Sequence, residues 1–152
     1  MSDKTFQAVI LDLDGVITRT AGIHARAWKK MFDEYLSDRR PTPDEDQAPF
    51  RLDVDYPEYV DGKPRYDGVR SFLQSRGIRL PEGSADDEPG KETICGLGNR
   101  KNQLFLDLVD QEGVQVYEDA VEQLDQWRRQ GLGLAVVTSS RNGERILRSG
   151  GL

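Results

Sequence analysis

Asp12-Leu13-Asp14-Gly15-Val16-Ile17-Thr18 decides how this chain is read. The stretch follows a short apolar run, Ala8-Val9-Ile10-Leu11, and Phe6 to Leu11 reads as a buried β-strand. Two carboxylates one residue apart cannot both enter a core, because an unpaired buried carboxylate is costly and a second like charge adds to that cost. Gly15 lets the chain turn away behind them without a Cβ in the way. The pattern therefore presents two acids at the mouth of a sheet, where they can hold a metal or form a covalent intermediate. Aspartates also end strands and start turns for purely structural reasons. The later segment Thr138-Ser139-Ser140 favours the chemical reading, because it too follows an apolar run.

That second run is Leu132-Gly133-Leu134-Ala135-Val136-Val137, a second buried strand by the same criteria. More than a hundred largely helical residues separate the two strands, whereas a whole strand–helix–strand crossover needs only about 30. The excess predicts an inserted helical domain. The expected organisation is a first core strand and catalytic loop over 1–19, a helical cap over 20–110, and a core helix, second strand and new helix over 111–152. In open parallel sheets ligands bind beyond the carboxyl ends of the strands, so the two polar segments should meet there.

Within the insertion, Trp28, Met31, Phe32, Tyr35 and Leu36 share one face of a helix expected from Gly22 to Leu36, which Arg39-Arg40-Pro41 ends. Residues 41–64 and 79–90 read as loop, the Asp86-Asp87-Glu88 run as a solvated part of it. Val69, Phe72 and Leu73 mark a short helix ending at Gly77, and Leu104, Phe105, Leu108 and Val109 another before Gly113. Tyr117 to Gln130 is the clearest helix, with Glu118 and Asp119 in its first turn and Arg128 and Arg129 in its last, both favourable to the helix dipole.

The chain has 152 residues, 32% charged and 36% hydrophobic, with a net charge of -6. That is enough for a domain with a real core, and it is not the composition of a disordered chain. No basic stripe points to nucleic acid, and no apolar run approaches the roughly 20 residues that span a bilayer. Met1-Ser2-Asp3-Lys4 carries no apolar leader, and the single cysteine, Cys95, allows no internal disulfide. A cytoplasmic protein with no membrane or nucleic-acid partner is expected.

These motifs resemble the haloacid dehalogenase superfamily, in its β-phosphoglucomutase-like branch. Asp12-Leu13-Asp14-Gly15-Val16-Ile17-Thr18 matches the first superfamily motif, and Val137-Thr138-Ser139-Ser140-Arg141-Asn142 resembles the second. His24-Ala25-Arg26-Ala27-Trp28-Lys29 is similar to the hinge and first cap helix of that branch. Gly98-Asn99-Arg100-Lys101-Asn102 resembles a cap segment that helps recognise substrate. The resemblance implies an α/β fold with a Rossmann-like parallel core, incomplete here, and an inserted α-helical cap. It implies phosphoryl transfer from a small sugar phosphate, with Asp12 attacking phosphorus and Asp14 as acid and base. It also implies Mg2+ as cofactor, held by Asp12 and Asp14 with the Asp14 backbone carbonyl; magnesium suits an all-oxygen site beside phosphate. Thr138, Ser139, Ser140, Arg141 and Asn142 become candidate phosphate or sugar contacts, where Thr138-Ser139-Ser140 could otherwise simply cap the next helix. In the cap, His24, Trp28, Arg70 and Lys101 become candidate substrate groups, with packing or surface charge as the alternative. The second acid, Asp14, argues against dehalogenase activity.

The same resemblance calls for a later lysine and a later acidic pair. After Thr138 the chain has neither lysine nor aspartate; the last of each are Lys101 and Asp125. The expectation is therefore the N-terminal part of a longer enzyme, impaired alone, whose core a fusion or partner chain completes. Two other readings are a non-catalytic fragment or interaction module of a larger protein, and a receiver domain phosphorylated on aspartate. The receiver reading conflicts with the adjacent acids and the long helical insertion.

Overall fold

A computed structural model describes residues 6–152; Met1-Ser2-Asp3-Lys4, the stretch on which the expected absence of an apolar leader rests, lies outside the described residues. Two strands and five α-helices follow in the order β1 (Ala8–Asp12), α1 (Ala21–Asp38), α2 (Arg65–Ser75), α3 (Ile94–Glu112), α4 (Glu118–Arg129), β2 (Gly133–Val137) and α5 (Gly143–Ser149). A single π-helical turn, Tyr56–Val60, interrupts the segment expected as loop. The chain divides into two compact units, one joining the described residues up to Ala21 to Gly113–Leu152, the other formed by Gly22–Glu112. Among the described residues no helix is long and apolar enough to cross a membrane.

In the first unit β1 and β2 pair in parallel, with Ala8 opposite Gly133 and Asp12 opposite Val137. The register brings the ends of both apolar runs to one edge of the sheet. Strand side chains alternate between faces. On one face Val9, Leu11 and Leu134 are half-buried, and α4 packs against β2. On the other, Ile10 is 71% and Val137 62% exposed. The expectation of buried strands therefore fails on that face. Parallel strands are normally covered on both sides; among the described residues the face bearing Ile10 and Val137 stays exposed.

The second unit is organised on aromatic rings. Phe32 stacks on Trp28 at 5.4 Å and on Phe50 at 5.2 Å, and Phe72 closes on Phe32 at 4.1 Å. Phe32, Phe50 and Phe72 are fully buried. The 3.6-residue period of α1 supplies Ile23, Ala27, Trp28, Met31, Phe32 and Leu36 to this core. Helix α3 begins ten residues before its apolar pattern is readable, because Gly96 and Gly98 obscure it. Both are there for close approach: a Cβ at Gly96 would lie 2.3 Å from the Lys91 carbonyl oxygen, and one at Gly98 2.6 Å from the Tyr66 ring.

The acidic run before α3 is not simply solvated. Asp87 is half-buried and accepts from Lys91 Nζ, Thr93 Oγ1 and Ser84 N, which together hold its carboxyl down at about 2. Thr93 Oγ1 in turn accepts from Gly96 N, in the manner of an N-cap. Acidic residues also tie down the 41–64 segment. Arg39 forks onto Glu45 at 2.7 and 3.0 Å, and Arg76 reaches Asp55 at 2.8 Å.

The ring cluster predicts that Phe72→Ala costs the second unit about 3–5 kcal/mol, read as a lower urea midpoint of Trp28 fluorescence; a loss under about 1 kcal/mol contradicts it. The Glu45 carboxyl is held at about 2, first by the Arg39 hydrogen bond and then by Thr42 N. Its folded value lies below its ordinary 4.5, so the stabilisation is full above pH 4.5 and is lost as pH falls toward 2. Unfolding of Glu45→Gln should show a smaller loss across that window than the unmodified chain.

Candidate functional site

Two sets of candidate residues assemble, one in each unit. In the first unit, the loop after β1 closes on the carbonyl of Leu13. That oxygen accepts from Ile17 N at 3.0 Å, Thr18 N at 3.1 Å and Val16 N at 3.3 Å, and Thr18 Oγ1 lies 3.2 Å from it. Gly15 takes φ +79°, which L side chains rarely adopt, and its N–H donates to the Thr18 carbonyl at 2.8 Å. The turn leaves Asp12 exposed and Asp14 half-buried. Asp12 Oδ1 accepts from Leu13 N at 2.6 Å. Asp14 Oδ1 accepts a short hydrogen bond from Thr20 Oγ1. The two acids thus sit in different surroundings although one residue separates them.

The far end of the loop is fastened to the segment before α4. Tyr117 N donates to Ile17 O at 2.9 Å and Arg19 N to Gln115 O at 2.8 Å, while the Arg19 guanidinium lies 4.2 Å from the Tyr117 ring centre. The second motif reaches the first through the strand register. Thr138 follows Val137, which pairs with Asp12. A Cβ at Gly143 would lie 2.9 Å from Thr138 Cγ2 and 3.7 Å from Leu13 Cδ2. Thr138 Oγ1 accepts from Ser140 N at 3.1 Å, and Ser140 Oγ from Asn142 N at 3.2 Å. These bonds shape the turn; Asn142 stands at the N-cap position of α5 without a side-chain capping bond. Ser139 and Arg141 are exposed.

In the second unit, His24, Trp28 and Lys101 come together. Lys101 is 5% exposed, which removes the surface-charge alternative. Its ammonium lies 2.7 Å from His24 Nδ1, 4.8 Å from the Trp28 ring centre and 5.2 Å from that of Phe105. The His24 ring stacks on Phe105 at 4.0 Å. Aromatic faces attract a cation, and more strongly once it is desolvated. Arg70 does not join this group: it is exposed on α2 and pairs with Asp67 at 2.5 Å and Glu82 at 2.6 Å. Within the Gly98–Asn102 segment, Asn99 donates to the carbonyls of Ala85 and Asp87 and accepts from Tyr66, and Arg100 pairs with Glu34. Asn99 and Arg100 therefore build the unit, and Lys101 alone of the three turns to the histidine.

Sequence reasoning missed Thr20, Phe105 and Gly143. Thr20 and Phe105 are fully buried, Gly143 is buried, and each touches a candidate residue. The alternation Thr18-Arg19-Thr20 carried the signal for the first; nothing local marked the other two. Among the described residues, no group of three His, Cys, Asp or Glu side chains could hold a metal. Asp12 and Asp14 offer carboxylate oxygens only, the donor set magnesium uses when it takes one or two carboxylates and completes its shell from water and substrate phosphate. The pair fits such a shared ion and does not fit a closed protein cage.

A family model of haloacid dehalogenase-like hydrolases matches residues 6–150. A β-phosphoglucomutase of Mycobacterium bovis is 49% identical over 146 residues, covering 96% of this chain and 56% of that protein. An uncharacterized glycosyl hydrolase of Mycobacterium tuberculosis is 39% identical over 145 residues, which are 95% of this chain and 11% of that protein. The chain thus spans little over half the length of the first relative. The crystal structure of β-phosphoglucomutase from Clostridium difficile shares the α/β fold, with a TM-score of 0.69 at 20% identity, over 97% of this chain and 58% of that one.

The contact at Gly143 predicts that Gly143→Ala displaces Thr138, shifts its methyl resonance and costs about 1–3 kcal/mol by overpacking. An unmoved Thr138 methyl in the folded variant contradicts the placement.

Proposed function

Because the chain belongs to the haloacid dehalogenase-like hydrolase family, we propose that it carries the nucleophile and the acid–base group of a magnesium-dependent phosphoryl transfer. The observation that supports this most is the different setting of the two acids: Asp12 exposed at the end of β1, Asp14 tied to buried Thr20. A nucleophile needs open approach to phosphorus, and an acid–base group needs a fixed position beside the leaving oxygen.

In this reading an Asp12 carboxylate oxygen attacks phosphorus and the bond from phosphorus to the sugar oxygen breaks. Asp14 gives its proton to that leaving oxygen. Asp14 then takes a proton from water or a sugar hydroxyl, whose oxygen attacks phosphorus, and the bond to Asp12 breaks. Thr138 supports the transfer from the end of β2: its oxygen accepts from Ser140 N, and its own proton can donate to a phosphoryl oxygen. Asp12 and Asp14 would hold Mg2+, which when bound offsets the charge shared by two acids and an anionic substrate.

The substrate proposed is a small sugar phosphate, in keeping with the relative named β-phosphoglucomutase. His24, Trp28 and Lys101 supply a cation and a ring of the kind that takes phosphate and sugar groups. Hydrolysis and mutase chemistry share the first step and differ in the acceptor. The proposal carries a cytoplasmic location with it, where phosphorylated sugars are found. It also includes further polypeptide, fused or as a partner chain, that covers the face bearing Ile10 and Val137. That same open face favours the second reading, an interaction module without catalysis.

Phosphate release from sugar 1- and 6-phosphates tests these readings. The first expects release that needs Mg2+ and falls at least about a hundredfold in Asp12→Asn. With a hexose bisphosphate primer, a mutase interconverts the two sugar phosphates, whereas a phosphatase releases phosphate. No release from the unmodified chain, or release unchanged in Asp12→Asn, overturns the catalytic reading and leaves the interaction module.

A further inference from the structure

We propose that Thr18 and Thr20 are positioning residues, two buried hydroxyls in series that hold the carboxyl of Asp14 in one orientation. The inference rests on the acid–base reading of Asp14. Both threonines are fully buried, and their Oγ1 atoms lie 2.7 Å apart. Thr20 Oγ1 reaches Asp14 Oδ1, and Thr18 Oγ1 lies 3.2 Å from Leu13 O.

A count of hydrogens gives the direction of the series. Each hydroxyl has one proton and can also accept. The proton of Thr20 goes to Asp14, whose oxygen accepts it. The 2.7 Å contact between the hydroxyls must then take its proton from Thr18. Leu13 O can release Thr18 Oγ1, since it already accepts from Val16 N, Ile17 N and Thr18 N. The series therefore runs from Thr18 to Thr20 to Asp14, and donation into Thr20 strengthens its donation onward. Thr18 is itself fixed by the backbone, bridged to Asp14 on one side and Val116 on the other. The acid is thus held through two hydroxyls by the same turn that ends β1.

The test replaces one hydroxyl at a time in the 152-residue chain and reads the Asp14 χ1 rotamer from three-bond couplings. The unmodified chain and Thr18→Ser, which keeps the hydroxyl, should show one rotamer. Thr18→Val and Thr20→Val, which keep the shape, should show averaged couplings with a native amide spectrum. A single rotamer in folded Thr18→Val overturns the proposal, and so does averaging in folded Thr18→Ser. Should Thr18→Val fail to fold, the Thr18 hydroxyl proton of the unmodified chain decides: a cross-peak to the Thr20 hydroxyl supports the series, and contact with Leu13 alone overturns it.

Turnover supplies an independent check. Thr18→Val should lower kcat for a sugar phosphate about tenfold with KM unchanged. Nitrophenyl phosphate, whose leaving oxygen needs no proton, should be much less affected, and Thr18→Ser should restore the rate; an equal loss on both substrates overturns the proposal. If no chain releases phosphate, the acid–base reading fails while the couplings still decide whether the hydroxyls hold Asp14.

Discussion

The carbonyl oxygen of Leu13 accepts from three backbone N–H groups of the loop that follows it, those of Val16, Ile17 and Thr18, with the Thr18 hydroxyl close by. A five-residue knot tied on one atom is what separates Asp12 from Asp14. Without it the two acids, two residues apart, would continue a strand and point to the same face. With it, Asp12 stays at the open end of β1, and Asp14 turns back onto Thr20. Gly15 is required because the knot needs positive φ. The backbone bridges to Val116 and Tyr117 then fasten the knot to the segment that leads into α4.

The parallel pairing of β1 with β2 adds the second motif to the same edge. Asp12 opposite Val137 leaves Thr138 as the next residue beyond the sheet, and buried Gly143 lets α5 start against Thr138 and Leu13. The second unit does different work. Its rings form a core of their own, and its buried Lys101 is fixed between His24, Trp28 and Phe105. Burial between these rings has already ordered the lysine side chain.

Much of this was legible in the sequence, and the parts that were not have physical reasons. The strands, the long first helix and the α4 caps follow from period and end charges, which are local. The position of the acids and Thr138 at the ends of the two strands is legible because each follows an apolar run. The start of α3 was hidden because its glycines answer to Tyr66 and Lys91, far away or around a turn. The half-buried role of Asp87 was hidden for the same reason: a charge run does not reveal which of its members meets Thr93 and Ser84. Strand burial was misjudged because apolar composition says what a sheet could cover, and only the assembled layers say what is covered. The glycines, the buried lysine and the threonine pair all depend on distances between segments, and local pattern does not contain those.

The central claim is that phosphoryl transfer passes through the carboxylate of Asp12. The most direct measurement is mass mapping of the chain after a brief reaction with a sugar bisphosphate and Mg2+, quenched in acid. The account predicts one phosphoryl group on the peptide bearing Asp12, absent in Asp12→Asn and lost on mild base treatment, as an acyl phosphate is. A phosphoryl group on another residue, or none under conditions where phosphate is released, would contradict it.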